Sequence, residues 1–130
     1  LRLNRIVPYQ PVVIDGAGGA MAILPFQQTH GSIGTLGFRY AGLAYSCDVS
    51  ALDDQAQKTI EASDVWIVDA LRHEPHPSHF SVSETLSWIA RLGLARAVLT
   101  HMDFSLDYDA LSAELPDHVE PAYDGMVIEL

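Results

Sequence analysis

The chain has 130 residues, 48% of them hydrophobic and 18% charged. That mix supports one folded domain and excludes a disordered tail. Seventeen acids against seven bases give a net charge of −10, which argues against a broad nucleic-acid footprint. No apolar run approaches the roughly 20 residues needed to cross a bilayer, and no leader peptide is visible. Cys47 is the sole cysteine, so neither an internal disulfide nor a cysteine zinc knuckle can form, and a reducing cytoplasm is the natural expectation.

Arg2 to Ile14 is apolar but holds Pro8 and Pro11, which suits an edge strand or an extended connector. The glycine-rich stretch from Asp15 to Gly19 reads as a turn. Ala20–Gln27, Leu36–Tyr40 and Leu43–Cys47 read as strands, the last two joined by the tight Ala41-Gly42 turn. Ser50 is expected to cap a helix over Ala51–Ala62, with Leu52, Ala56 and Ile60 on its apolar stripe. Val65–Asp69 is a continuous apolar run, the pattern of a strand covered on both faces.

Arg72–Phe80 carries three histidines and two prolines and is expected to be a loop. Ser81 and Glu84 form a capping box for a helix with Val82, Leu86, Ile89 and Leu92 buried, ended by Gly93. Ala97–Thr100 reads as a strand, Asp107–Leu115 as a short helix, and Val119–Tyr123 and Met126–Leu130 as two closing strands. No base comes after Arg96, whereas eight acids do. Such a run is usually a solvated face. Strands and helices alternate after an antiparallel start, which predicts an α/β fold with a mixed sheet.

The polar residues fall at strand ends. Thr29-His30, Ser46-Cys47-Asp48, Asp69 and Thr100-His101 each succeed an apolar strand. α/β folds place their sites at such ends, and a set of His and Asp suits a borderline or hard divalent metal. Singly, each has a plain structural use: Asp48 could cap the next helix, Asp69 could cap its loop, and a strand-end histidine is often only hydrogen-bonded.

Five segments carry a resemblance. Thr29-His30-Gly31, Tyr45-Ser46-Cys47-Asp48-Val49-Ser50, His76-Pro77-Ser78-His79-Phe80-Ser81, Val98-Leu99-Thr100-His101-Met102 and Tyr123-Asp124-Gly125-Met126 together resemble the C-terminal half of a metallo-β-lactamase-fold hydrolase. The branch most like it contains phosphoribosyl cyclic phosphate phosphodiesterase, with RNase Z-type nucleases as more distant relatives. The resemblance implies half of an αββα sandwich, with helices on one face of a mixed sheet. It implies His30 as a ligand of one metal, Asp48 as a bridge between two, and His101 as a ligand of the second. It implies His79 as a proton donor beside the substrate phosphate, and Asp124 as a support behind a ligand histidine. His73, His76 and His118 are expected to be structural or surface residues.

The family's His-x-His-x-Asp-His motif is absent. Residues 1–130 are therefore expected to be the C-terminal half of the domain. The other half would be missing or carried by a second chain, and homodimerisation is possible. Two divalent ions, manganese, zinc or iron, are expected in the complete protein and few or none in this chain alone. The implied activity is metal-dependent hydrolysis of a small cyclic phosphate or nucleotide-like phosphodiester, with this chain inactive by itself. The alternatives are a non-catalytic α/β module that pairs with another chain, and an RNase Z-like nuclease.

Overall fold

A computed structural model describes residues 3–130. Arg2, where the first expected segment begins, lies outside them. Residues 3–11 form no strand and turn at residues 8–10, where Tyr9 adopts φ 63°, and the first strand, β1, covers Val12–Gly16. β2 (Gly19–His30), β3 (Ile33–Tyr40) and β4 (Leu43–Ser46) come next, then helix α1 (Asp54–Glu61) and β5 (Val65–Asp69). Helix α2 (Val82–Leu92), β6 (Arg96–Thr100), helix α3 (Tyr108–Glu114) and β7 (Val119–Pro121) complete the order. The seven strands form one sheet in sequence order. β1 to β4 pair antiparallel, and β4 to β7 pair parallel.

This topology fixes one consequence for the site. β3 runs antiparallel to both β2 and β4, so β2 and β4 run the same way, and β5 and β6 run with them. The C-terminal ends of β2, β4, β5 and β6 therefore share one rim.

The core lies on one face of the sheet. Phe26, Ala44, Trp66, Val68, Ala97 and Leu99 meet Ala56 and Ile60 of α1, Val82 and Ile89 of α2, and Leu111 of α3. The register explains the choice of face: Ala44, Trp66 and Ala97 align across three strands, and Val68 and Leu99 across two. The opposite face of β3–β5 carries Leu36, Phe38, Tyr40, Leu43, Tyr45 and Ile67, which are half-buried or exposed and stand outside the core cluster. No helix among the described residues is long and apolar enough to cross a membrane.

Two expected elements differ. The cap of α1 is Asp53, whose Oδ1 accepts from Ala56 N at 2.7 Å, and not Ser50. Ser50 is held elsewhere: its backbone N–H donates to Thr29 O, and its Oγ accepts from Gly31 N at 3.0 Å. Residues 126–130 form no strand, and the sheet ends at β7. The capping box of α2 is present as expected, and Gly93 ends the helix in the left-handed conformation at φ 65°.

Candidate metal centre

His30 ends β2, Asp48 stands two residues beyond β4, Asp69 ends β5, and His101 comes directly after β6. The shared rim brings them together, and the loop after β5 folds His79 in among them. The His79 ring lies 4.6 Å from that of His30 and 4.9 Å from that of His101, centroid to centroid. His101 Nε2 is 3.5 Å from Asp48 Oδ1, and His79 Nδ1 is 4.0 Å from the same oxygen. His30, Asp48 and His79 each offer a donor atom within 4.8 Å of the others, and Cys47, Asp48 and His101 do the same.

Two of these residues occupy strained backbone. Asp48 has φ 56° and His101 φ 58°. Left-handed positions cost a non-glycine residue about 1–3 kcal/mol, and such outliers cluster at functional sites. The loop at Asp48 is clamped from beneath. Buried Gln28 donates from Nε2 to Cys47 O at 2.6 Å and to Asp48 O at 3.3 Å, and Thr35 Oγ1 donates to Asp48 O at 2.9 Å. A bridge between Thr29 and Ala51 ties the same loop to the end of β2.

The histidines are held in definite tautomers. His30 Nδ1 lies 2.7 Å from the Ser78 carbonyl, which only accepts, so Nδ1 carries the proton and Nε2 keeps a free lone pair. His79 Nδ1 lies 2.8 Å from Asp69 Oδ2, which also accepts from Val49 N at 3.1 Å. Asp69 is fully buried, and its Oδ1 has no hydrogen-bond partner among the described residues. Burial raises the pKa of its carboxyl, while the bonds from His79 and Val49 and the charges of His79 and His101 pull it down. Burial likewise raises the Cys47 thiol, a contact with Tyr45 opposes it, and the charges of Asp48 and Asp69 add to the rise.

The donor set fits a divalent ion. It offers imidazole nitrogens with free lone pairs, a carboxylate between them, and a buried carboxylate fixing one ring from behind. An open cavity lined by His30, Gly31, Ser32, Ile33, Pro77 and Ser78 adjoins this rim.

Of the residues singled out in the sequence, His30, Asp48, His79 and His101 converge. Asp124 does not join them: it is exposed in the turn after β7, and among the described residues no hydrogen bond or ion pair ties its carboxylate to the cluster. His76 is expected from the sequence to be structural, yet its ring lies 5.1 Å from that of His79, and its Nδ1 accepts from Ser78 N at 3.3 Å. Partial desolvation, then the charges of Arg72, His79 and His30, lower its pKa. His73 lies apart, 3.5 Å from Glu114 on the surface. Asp69 is the residue that sequence reasoning undervalues. Its strand-end position is visible, but its bond to His79 depends on the fold of the intervening loop.

Residues 1–102 match the beta-lactamase superfamily domain. The chain belongs to this family. Its fold is that of the metallo-β-lactamases, a superfamily made up mostly of metal-dependent hydrolases, and it stands near the PhnP branch, as the sequence motifs implied. The crystal structure of a diphosphatase from the PhnP family superposes with a TM-score of 0.86 at 26% identity, over 95% of this chain and 47% of that one. The metallo-beta-lactamase fold protein YhfI of Bacillus subtilis gives a TM-score of 0.72 at 20% identity, over 93% of this chain and 53% of that one. An octanoyltransferase of Porphyromonas gingivalis is 23% identical over 128 residues, which is 97% of this chain and 25% of that protein. The chain thus spans about half the length of the first structure and a quarter of the octanoyltransferase, whose name describes the whole of that protein.

Proposed function

We propose that this chain is one half of a metal-dependent phosphodiesterase acting on a small cyclic phosphate or nucleotide-like phosphodiester. The observation that carries the reading is the convergence of His30, Asp48, His79 and His101 on one rim. His30, Asp48 and His101 would hold two divalent ions, with Asp48 shared between them and further ligands coming from the other half of the domain. When bound, such ions supply Lewis acidity and a water that ionises near neutral pH.

The chain's own residues do the rest. His79 stands at the rim where it can deliver a proton to the leaving oxygen of the ester. Asp69 fixes the ring through Nδ1, so Nε2 is the nitrogen left to face substrate. Pro75 and Pro77 limit the backbone freedom of the loop, and the capping box of α2 anchors its far end. The Asp69 side chain is fully buried and that of His79 is 11% exposed, so the bond between them is sheltered from water and the stronger for it.

The acidic balance favours a small substrate over an RNase Z-like role. A non-catalytic pairing module is the competing class, and metal content separates the two. The full-length gene product, purified without chelator, should carry manganese, zinc or iron and hydrolyse a cyclic phosphodiester. In that protein His79→Ala should lower turnover by about 10²–10⁴-fold while metal content stays. Equal loss of metal and turnover would reassign His79 as a ligand. A metal-free, inactive product would remove the hydrolase reading.

A further inference from the structure

We propose that Cys47 supplies a sulfur ligand, so that Cys47, Asp48 and His101 form a soft metal position beside the harder position built from imidazole and carboxylate. The inference rests on the hydrolase reading above and adds to it a residue that the resemblance does not assign.

Neighbours in a strand point to opposite faces, so Cys47 and Asp48 would normally diverge. Here β4 ends at Ser46, and Asp48 turns into the left-handed region at φ 56°. That reversal puts the Cys47 Sγ and an Asp48 carboxylate oxygen on the same side, with a His101 ring nitrogen, all within 4.8 Å of one another. The backbone that presents them is rigid. Gln28 Nε2 holds both carbonyls and Thr35 Oγ1 holds the second. The residues come from two strand ends, after β4 and after β6, so the sheet itself sets their spacing.

The donor types decide the chemistry. A thiolate, an imidazole and a carboxylate make a set that suits Zn²⁺ or Co²⁺, with a fourth place open to water or substrate. On the other side of Asp48 this chain offers His30 and no sulfur, so that position tolerates a harder ion such as Mn²⁺. Asp48 belongs to both groups. The two positions therefore differ in softness on either side of one shared carboxylate. On binding, the Cys47 thiol gives its proton to solvent, and the S–metal bond takes its place.

Cys47 is the sole cysteine of this chain, and the Cys47→Ser variant isolates its thiol signal in the full-length gene product. The metal-free full-length gene product is titrated with Co²⁺ and monitored by absorption, and separately the alkylation of Cys47 by iodoacetamide is timed with and without Zn²⁺. The expected results are a thiolate-to-cobalt charge-transfer band in the near ultraviolet and slowing of alkylation by at least about tenfold. Cys47→Ser should abolish the band and keep weaker visible d–d absorption, whereas His30→Ala should keep the band. Co²⁺ binding with d–d absorption but no thiolate band, and alkylation untouched by Zn²⁺, overturns the role of Cys47 and leaves the hydrolase reading standing. Failure of the full-length gene product to bind Co²⁺ at all overturns both.

Discussion

Asp69 couples the stability of this domain to its chemistry. Its carboxylate is buried at the end of β5 and receives the His79 ring and the Val49 N–H. Its backbone carbonyl accepts from Thr85 Oγ1 at 2.8 Å, which joins the rim to α2. Burial raises its pKa above the ordinary 3.8. A raised folded value means that the folded protein holds this proton more tightly than the unfolded chain does. Its stabilising contribution is full below 3.8 and is lost as pH rises through the folded value. Asp69→Asn cannot titrate, so denaturant midpoints measured from acid to neutral pH should show the wild type losing ground to the variant as pH rises. A constant gap between the two across that range would contradict this account. The residue shows how far sequence reading reaches at this scale. An aspartate at a strand end is visible in the string, but its bond to a histidine ten positions away depends on how the Arg72–Phe80 loop folds back. Asp124 shows the converse, since a motif position does not fix what an exposed turn touches, and among the described residues its carboxylate has no hydrogen bond to the cluster.

At the scale of elements, the legible parts were those with strong local chemistry. The continuous runs Val65–Asp69 and Ala97–Thr100 could only be buried strands, and Ser81 with Glu84 announced α2. Ser50 misled because it has the right residue type beside the right apolar spacing. Its hydroxyl and N–H are taken by Thr29 and Gly31, and Asp53 caps the helix three residues later. A local rule gave way there to a tertiary contact, and that contact secures the Asp48 loop. The real cap of α2 has a measurable role. Ser81 Oγ accepts from Glu84 N at 3.4 Å, and Glu84 Oε2 in turn accepts from Ser81 N at 2.8 Å. Ser81→Ala should cost about 1 kcal/mol in a denaturant titration. Because Ser81 stands two residues from His79, the same change should loosen that ring, visible as broadening of its imidazole resonances in NMR. A destabilised variant with unchanged His79 signals would separate the cap from the site.

At the scale of the whole molecule, the sheet is asymmetric in a way its own helices do not resolve. α1, α2 and α3 contribute to the same core, while Leu36, Phe38, Tyr40, Leu43, Tyr45 and Ile67 line the other face of β3–β5 outside it. Sheets with apolar residues on both faces bury each against a further layer. A contiguous apolar surface of this kind marks an interaction site. In the proposed domain that layer is the other half, which would also complete the ligand set at the rim. The isolated chain should therefore self-associate with rising concentration, as read by sedimentation velocity. Phe38→Lys combined with Tyr45→Lys should hold it monomeric, and because Phe38 is only half-buried and Tyr45 is 41% exposed, the unfolding midpoint should move little. In the full-length protein the same pair of charges should separate the halves and release bound metal, although neither residue is a ligand. A wild-type chain that stays monomeric at every concentration, together with a double variant that keeps full metal content, would show that this face needs no cover and that the site is complete without one.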